Sequence, residues 1–439
     1  MPSKVRQILD MNAFDPEAGQ SANPLLKRRL ANYGAASVLF YEEPIEVVSG
    51  KGCWMTASDG SRYLDFYNNV PSIGHCHPAV IAAVSDQMAR LNINSRYLSA
   101  VVDDYLEALK ATFPPSLSNV VLSCSGSEAN DLAMRIAMKA TGGTGFIVTE
   151  NAYHGNTSAV TEISPSALKR GSLPDHVVTI PAPAPAEYGD DIATGFAASL
   201  ARAVGELELR GHKLAAFICD SIFSSDGVYG DPAGFLALAV EETRKAGGVY
   251  IADEVQPGFA RTGDAFWGFG RHGVTPDMVT MGKPMGNGFP MAGTAVRPDL
   301  LQRFCEDVGY FNTFGGNPVA AAAGRAVLDA IKGEGLQENA VTVGGHLKAR
   351  LQDLATRDGR VTDVRGAGLF IGVDLCRDGD RETPDPALAT RVINGLKRRH
   401  VLIGAAGRYG NTLKVRPPLC LTLEEADIFA DALEAVLAE

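Results

Sequence analysis

Short apolar runs rich in β-branched residues recur along the middle of the chain, and they restrict the fold more than any other feature. Each is bounded by Gly, Ser or Asp, as expected for buried parallel strands. The runs are Asn119–Ser123, Gly145–Thr149, His176–Ile180, Leu214–Cys219, Gly248–Ala252 and Asp277–Thr280. Segments with helical apolar spacing alternate with them, at Ser127–Lys139, Ile192–Leu209 and Phe235–Lys245. The alternation predicts an α/β domain with a mainly parallel sheet.

The pattern changes after about residue 320, where Ala-rich helical segments replace the strand runs. Beyond this point the sequence predicts helices at Val319–Ile331 and Glu338–Thr356, a strand-rich stretch at Gly368–Leu375 and a closing helix at Leu423–Leu437. We therefore predict a large domain over residues 61–320 and a small α+β domain over residues 321–439. Residues 1–60 carry a helix and a short hairpin, and we expect them to pack on the other domains.

The composition excludes several classes of protein. The 439 residues are 46% hydrophobic and carry a formal charge of −11, which argues against a disordered chain and against a nucleic-acid binder. No run approaches the roughly 18–20 apolar residues of a membrane span, and residues 1–7 lack the apolar stretch of a secretory signal. The 7 Cys residues form no Cys-x-x-Cys pair, which indicates reduced thiols. We expect a cytoplasmic protein.

The residues that follow the predicted strands are the first place to look for a site, because ligands of open parallel sheets bind beyond the carboxyl ends of the strands. Ser123–Asp131 follows one strand and opens a helix. Its Gly and Ser residues leave backbone N–H groups and hydroxyls free for a phosphate. The alternative is that Ser127 only caps the helix.

Two further strand ends carry reactive side chains. Asp253 ends a strongly apolar run, where a carboxylate needs a cation or a hydrogen-bond donor. Lys283 follows another run and lies among small and apolar residues, which favour a neutral, nucleophilic amine. Each has a structural alternative, namely a salt bridge for Asp253 and a surface position for Lys283. Taken together, an anion site, a strand-end acid and a buried Lys are what pyridoxal 5'-phosphate requires.

Five motifs carry a resemblance to a known family. They are Ser125–Asn130, Ala152–Gly155, Asp253–Gln256, Met281–Lys283 and Asn312–Pro318. In this order and over about residues 35–435, the sequence resembles the class III pyridoxal-phosphate-dependent aminotransferases. The resemblance implies the fold-type I architecture, pyridoxal 5'-phosphate as cofactor, and a homodimer with active sites at the subunit interface.

The resemblance also implies roles for individual residues. Lys283 would hold the cofactor as a Schiff base and move the substrate proton, and Asp253 would keep the pyridinium nitrogen protonated. Tyr153 would stack on the ring and Gln256 would approach its 3-oxygen. The remaining cofactor-binding positions are Ser125, Gly126, Ser127 and His154, with Thr313 contributed by the neighbouring subunit.

The substrate side departs from the common pattern of the family. Members that act on α-amino acids usually place an Arg two residues before an x-Pro-Pro-Leu turn, and this chain has Lys414 there. Arg416 comes two residues later, on the same face of a strand but about 6.6 Å further along. The motifs around Tyr67–Val70 and Leu91–Leu98 look more like the ethanolamine-phosphate phospho-lyase branch, which needs no carboxylate clamp. Candidates for binding a substrate phosphate are Asn69, Ser95, Arg96 and Lys414.

Three readings of the activity stay open at this point. The first is elimination of phosphate from an O-phosphoethanolamine-like amino phosphate, and the second is amino transfer to pyruvate, glyoxylate or 2-oxoglutarate. A catalytically silent binding protein is disfavoured, because Lys283 and Asp253 are both present. We expect no metal at Gly74–Pro78, because two His flanking one Cys cannot easily share a tetrahedral ion.

At other positions the sequence departs from the family, so the family's substrate-pocket residues there cannot be assigned to this chain. Asp220 and Phe223 stand where the family usually has Glu and Gln. Arg261 matches a family position beside the active site, and a purely structural role is the alternative.

Overall fold

The computed structural model describes residues 7–8, 10–15, 23–377 and 379–439. The predicted absence of a signal at residues 1–7 therefore falls mainly outside the described residues. The helices are α1 (Pro24–Tyr33), α2 (Pro78–Arg90), α3 (Ala100–Lys110), α4 (Gly126–Thr141), α5 (Ser158–Glu162), α6 (Pro185–Tyr188), α7 (Ile192–Leu209), α8 (Leu236–Lys245), α9 (Pro298–Asp307), α10 (Pro318–Gly333), α11 (Leu336–Arg357), α12 (Pro386–Arg398) and α13 (Leu423–Leu437).

The strands form three sheets within the described residues. In chain order they are β1 (Val47–Lys51), β2 (Trp54–Ala57), β3 (Arg62–Asp65), β4 (Asn119–Ser123), β5 (Gly145–Thr149), β6 (Val177–Ile180), β7 (Leu214–Cys219), β8 (Val249–Asp253), β9 (Met278–Met281), β10 (Ala292–Val296), β11 (Val361–Ala367), β12 (Phe370–Leu375), β13 (Val401–Leu402), β14 (Gly404–Ala406) and β15 (Thr412–Val415). No helix in the described part of the chain is both long and apolar enough to cross a membrane.

The central sheet has the strand order β4-β10-β9-β8-β7-β5-β6. The pairs from β9 through β6 are parallel, and β10 runs antiparallel to both of its neighbours. The mainly parallel sheet is therefore confirmed, and the prediction is wrong in one detail. Asn119–Ser123 pairs only with the antiparallel β10, a strand that the apolar pattern misses because Ala292–Val296 consists largely of small residues.

Helices cover the central sheet and connect it to the rest of the molecule. α4 packs on the strands and on α9, while α7 packs against α8. α10 packs against α2 and α3, and α11 and α12 both pack against α13. All residues of β5, β7, β8, β9 and β10 are buried, as expected for strands covered on both faces.

The two smaller sheets join the N-terminal and C-terminal parts of the chain. One has the order β1-β2-β3-β13, in which β13 pairs in parallel with β3. The other has the order β11-β12-β15-β14 and is antiparallel. Residues 361–367 form a strand and Gly368 lies in the turn after it, with φ +53°, so the stretch predicted as strand at Gly368–Leu375 begins only at Phe370.

Candidate active site

Lys283 follows β9 and lies at the boundary of two adjacent cavities. Burial, together with the positive charge of Arg416, lowers the pKa of its ammonium group to about 8. Among the described residues, none accepts a hydrogen bond from Nζ. A large fraction of this amine is therefore neutral near pH 8, and a neutral amine is the form that attacks a carbonyl carbon.

Asp253 ends β8, the strand next to β9, and its buried carboxylate accepts three hydrogen bonds. Oδ2 accepts hydrogen bonds from His154 Nδ1 at 2.7 Å and from Asn130 Nδ2 at 3.0 Å. Oδ1 accepts from the Val255 N–H at 3.1 Å. Asn130 also donates to the His154 carbonyl at 2.7 Å, so the His and the carboxylate are held in one arrangement. These contacts stabilise a charged carboxylate at the end of the strand.

The start of α4 forms an anion cradle beside Asp253. Ser125 is the N-cap residue and accepts from the Glu128 N–H at 3.2 Å, whereas Ser127 Oγ accepts from the Asn156 N–H at 3.1 Å. The cap assigned to Ser127 as the alternative from sequence thus belongs to Ser125. A Cβ on Gly155, which has φ +147°, would lie 2.5 Å from Ser127 Oγ, so glycine is needed at this position.

The two cavities share Tyr153, Gln256 and Lys283. The first, here called the Ser127 cavity, is lined in addition by Gly126, Ser127, His154, Gly155, Asp220, Asp253 and Val255. The second, here called the Lys414 cavity, is lined in addition by Ile8, Met11, Asn12, Phe40, Tyr67, Ile403, Gly404, Ala405, Lys414 and Arg416. The Lys283 side chain can therefore contact a ligand in either cavity.

A hydrogen-bonded network holds Arg416 at the wall of the Lys414 cavity. Its NH1 group donates to Gln256 Oε1 at 2.6 Å and to Asn69 Oδ1 at 3.3 Å, and its guanidinium carbon lies 4.5 Å from the centroid of the Tyr67 ring. Gln256 donates in turn to Ser224 Oγ at 2.8 Å. Arg416 Nε is buried and has no partner among the described residues, which leaves donor capacity for a ligand.

Positive charge dominates the Lys414 cavity. Lys283, Lys414 and Arg416 all line it, and none of its described lining residues is Asp or Glu. Burial and the charge of Arg416 lower the pKa of Lys414, while Asp220 in the Ser127 cavity partly opposes this shift. Lys414 and Arg416, with the partly neutral Lys283 beside them and no Asp or Glu among the described lining residues, favour an anionic ligand.

Most of the predicted site residues meet at these cavities. Lys283, Asp253, Gly126, Ser127, Tyr153, His154, Gln256 and Lys414 line one or both of them. Asn69 reaches the site through Arg416 and Gln256, and Ser125 contributes as the cap of α4.

Two predicted residues lie elsewhere in this single chain. Arg96 is exposed, lines neither cavity, and stacks on Phe311 at 4.3 Å from the ring centroid, so one chain alone gives it no contact with a substrate. Thr313 is also exposed and lines neither cavity. Its predicted role requires a second subunit and stays a prediction.

Arg261 has the structural role that the sequence left as an alternative. Its guanidinium group is buried and donates to the carbonyls of Leu369 and Pro417 and to Ser72 Oγ. Burial lowers its pKa to about 9. Arg261 thereby ties together three segments that surround the site.

The two His residues of the Gly74–Pro78 motif have separate carboxylate partners. His75 Nε2 lies 2.8 Å from Asp65 Oδ2, and His77 Nε2 lies 3.0 Å from Glu334 Oε1. Within the described residues, no cluster of three or more His, Cys, Asp or Glu side chains could hold a metal ion.

Two contributors to the site were not among the site residues predicted from the sequence. Arg416 was predicted only as a displaced clamp on the same strand face as Lys414, and it lines the same cavity. Tyr67 was noted only as part of a motif, and it packs against Arg416. The alternation along a strand was a usable signal for Arg416, whereas nothing local indicated the contact with Tyr67.

Comparisons with known proteins agree with this geometry. Residues 40–437 match the family Aminotransferase class-III. The Drosophila melanogaster protein named alanine–glyoxylate aminotransferase 2-like is 38% identical, with 95% of this chain and 88% of the relative covered. A Caenorhabditis elegans protein named ethanolamine-phosphate phospho-lyase homolog 1 is 35% identical, with 95% of this chain and 94% of the relative covered.

Among solved structures, an Arthrobacter phospholyase in complex with phosphoethanolamine is 42% identical and superposes with a TM-score of 0.91. The similarity covers 94% of this chain and 99% of that structure. The cradle at α4, the fixed Asp253 and the reactive amine of Lys283 fit the phosphate, ring nitrogen and aldehyde of pyridoxal 5'-phosphate. The chain belongs to the class III aminotransferase family, has the fold of the pyridoxal-phosphate enzymes of fold type I, and uses pyridoxal 5'-phosphate as its cofactor.

Proposed function

We propose that the protein is a phospho-lyase, which converts O-phosphoethanolamine or a similar amino phosphate, together with water, into an aldehyde, ammonia and phosphate. The observation that carries this proposal is the second cationic site at Lys283. The cradle at α4 accounts for the cofactor phosphate, and the Lys414 cavity offers Lys414 and Arg416 to another anion with no described carboxylate facing it.

The chemistry of Lys414 and Arg416 suits a phosphate better than the α-carboxylate of an amino acid. A carboxylate is bound most specifically by a free, planar Arg fork. In this site NH1 of Arg416 is already held by Gln256 and Asn69, and the adjacent cation is a Lys. A lysine ammonium with an Arg that still has free donors can satisfy the several oxygen acceptors of a phosphate dianion.

The proposed reaction divides the work among residues already described. The bound cofactor supplies an electron sink that makes the hydrogen on the carbon next to nitrogen acidic. Asp253, fixed by His154 and Asn130, would hold the ring nitrogen of the cofactor and favour its protonated form. Lys283 Nζ takes the proton from the carbon, and Lys414 and Arg416 stabilise the leaving phosphate.

Amino transfer is the second candidate function. The similarity to the Drosophila protein named alanine–glyoxylate aminotransferase 2-like favours it, since identity to that relative is 38%. Both activities begin with the same proton removal, and they differ in whether a group is then expelled from the neighbouring carbon.

One incubation separates the two candidates. The purified protein is given O-phosphoethanolamine with and without pyruvate, glyoxylate or 2-oxoglutarate, while phosphate and acetaldehyde are measured. The phospho-lyase proposal expects both products in equal amounts without a keto acid, and none from ethanolamine, the matched substrate that lacks the phosphate. Turnover that depends on a keto acid and releases no phosphate would establish the aminotransferase instead.

We further propose that the active protein is a homodimer with its active sites at the subunit interface. Five exposed apolar side chains lie in two segments that are joined by the contact of Arg96 with Phe311. These side chains are Leu91, Tyr97, Leu98, Phe311 and Phe314. Thr313 lies in the second segment, so a dimer formed through this surface would place Thr313 against the partner subunit.

Mixing two inactive variants tests the shared site. Lys283→Ala and Thr313→Asp each disable a different half of a site that two subunits complete. Refolding them together should restore up to about one quarter of the wild-type activity, because half of the dimers are mixed and each mixed dimer has one intact site. No recovery from an equimolar mixture, with dimers confirmed by light scattering, would contradict a site built from two chains.

A further inference from the structure

Two cysteines far apart in the sequence lie side by side in the structure. Cys53 is in the turn between β1 and β2, and Cys420 follows β15 in the turn before α13. Their Sγ atoms are 3.7 Å apart, and both thiols are free. The pair therefore joins the N-terminal hairpin to the C-terminal part of the chain across one side-chain contact.

Hydrogen bonds hold the backbone on both sides of this contact. Asn339 Nδ2 donates to the carbonyls of Leu419 and Leu421, at 2.7 and 2.9 Å, so the residues that flank Cys420 are fixed to α11. On the other side, Trp54 Nε1 donates to Glu425 Oε1 at 2.7 Å, which fixes the neighbour of Cys53 to α13. These contacts with α11 and α13 hold the two thiols next to each other.

Close packing beside the pair limits where Cys420 can turn. A Cβ on Gly74 would lie 2.9 Å from Cys420 Sγ and 3.1 Å from the Cα of Gly52. The Gly52 and His75 backbones exchange two hydrogen bonds in the same place, at 3.2 and 2.8 Å. Little space is left for Cys420 Sγ to move away towards Gly74, and its distance to Cys53 Sγ is 3.7 Å.

The two thiols differ in access and in acidity. Cys53 is buried, and its hydrogen bond to Cys420 together with burial raises its pKa. Cys420 is half-buried, lines a surface cavity between α11 and the start of α13, and has a pKa lowered chiefly by the hydrogen bond that it shares with Cys53. A thiolate with access to solvent is the form that reacts with an oxidant.

We propose that Cys53 and Cys420 are a redox modification site that closes to an intramolecular disulfide when the protein meets a peroxide. The Cys420 thiolate attacks hydrogen peroxide, the O–O bond breaks, and Cys420 becomes a sulfenic acid as hydroxide leaves. The Cys53 thiol then attacks the Cys420 sulfur, an S–S bond forms, and water leaves with the proton of the thiol. In sum, two thiols lose two electrons to one peroxide and two waters form; a dithiol reductant reverses the change.

Peptide mapping of the holoenzyme tests the proposal directly. The reduced protein is exposed to hydrogen peroxide, its remaining thiols are alkylated in denaturant, and a non-reducing digest is analysed by mass spectrometry. The expected result is one linked peptide pair containing Cys53 and Cys420, which disappears on treatment with dithiothreitol. Recovery of both residues as alkylated thiols, or of Cys420 as a sulfinic acid without the linked pair, would overturn the proposal.

Matched variants distinguish this pair from accidental oxidation. Cys76 and Cys305 are exposed, and replacing both by Ser should leave the linked pair unchanged. Cys420→Ser should abolish it. The oxidised wild type should also melt at a higher temperature than the reduced protein, because the bond ties distant parts of the chain. Cys420→Ser should show no such difference; an equal shift in that variant contradicts a specific disulfide.

Discussion

The Ser127 cavity and the Lys414 cavity meet at Lys283, but they are built in different ways. The Ser127 cavity consists largely of residues at the carboxyl ends of central-sheet strands or within a few residues of them, such as Ser127, His154 and Asp253. The Lys414 cavity gathers side chains from segments far apart in sequence, including Tyr67, Gln256 and Arg416. The topology of the sheet alone specifies the first, whereas contacts between the hairpin, the large sheet and the C-terminal sheet specify the second.

The largest effect is expected where the two cavities join. Lys283→Ala removes the amine that serves both, and we expect activity on O-phosphoethanolamine to fall at least about a thousandfold. Phosphate release and the visible absorbance of the bound cofactor are the measurements. Lys245→Ala, at a surface Lys paired with Glu242, is the control and should behave as wild type. Substantial turnover by the Lys283→Ala variant would show that the reaction does not require this residue.

A change confined to the Ser127 cavity should come next in size. Asp253→Asn keeps the volume of the side chain and removes its charge, and it turns an acceptor of hydrogen bonds from His154 and Asn130 partly into a donor. We expect kcat to fall about 100-fold, or roughly 2.7 kcal/mol in the barrier. Steady-state kinetics check this. A KM that rises while kcat is unchanged would show that Asp253 acts only in binding.

A change confined to the Lys414 cavity should be smaller and of another kind. Lys414→Met keeps the length of the buried stem and removes its positive charge, so the KM for O-phosphoethanolamine should rise about tenfold. Initial rates over a range of substrate concentrations measure it. Cofactor absorbance should stay as in wild type, since the Ser127 cavity is intact. An unchanged KM would show that Lys414 does not bind the substrate, and it would count against the proposed function.

The smallest effect concerns the electrostatic link between the cavities. With the pKa of Lys283 lowered to about 8, the neutral fraction of its amine rises through pH 8 and levels off above it. The rate at which the cofactor-free protein takes up pyridoxal 5'-phosphate should follow this profile. Arg416→Gln removes a positive charge that lowers the pKa, so the rise should move to higher pH. Stopped-flow absorbance measures the uptake.

The matched control for the pH profile is Arg408→Gln. Arg408 is largely exposed and pairs with Glu150 outside both cavities, so this variant should keep the wild-type midpoint. A midpoint that stays in place or falls in Arg416→Gln would mean that the charge of Arg416 does not reach Lys283.

The same difference between the cavities explains what the sequence could predict. Strands such as Leu214–Cys219 were predicted with their observed bounds because their apolar runs are continuous, and their ends led to Asp253 and Lys283. The small residues of Ala292–Val296 produce no such run, so β10 was missed. The contact of Arg416 with Tyr67 depends on packing between distant segments, which no local pattern encodes. The role predicted for Thr313 requires a second chain and stays a prediction.

The pairing of β13 with β3 has a consequence for synthesis of the protein. Val401–Leu402 supplies the last strand of the sheet that begins with β1, so that sheet cannot be completed until most of the chain has left the ribosome. Until then β3 has an unpaired edge that other strands can join. A nascent chain arrested before residue 401 should therefore aggregate or bind chaperones, whereas one that includes residues 401–439 and is tethered to the ribosome through an added linker should not.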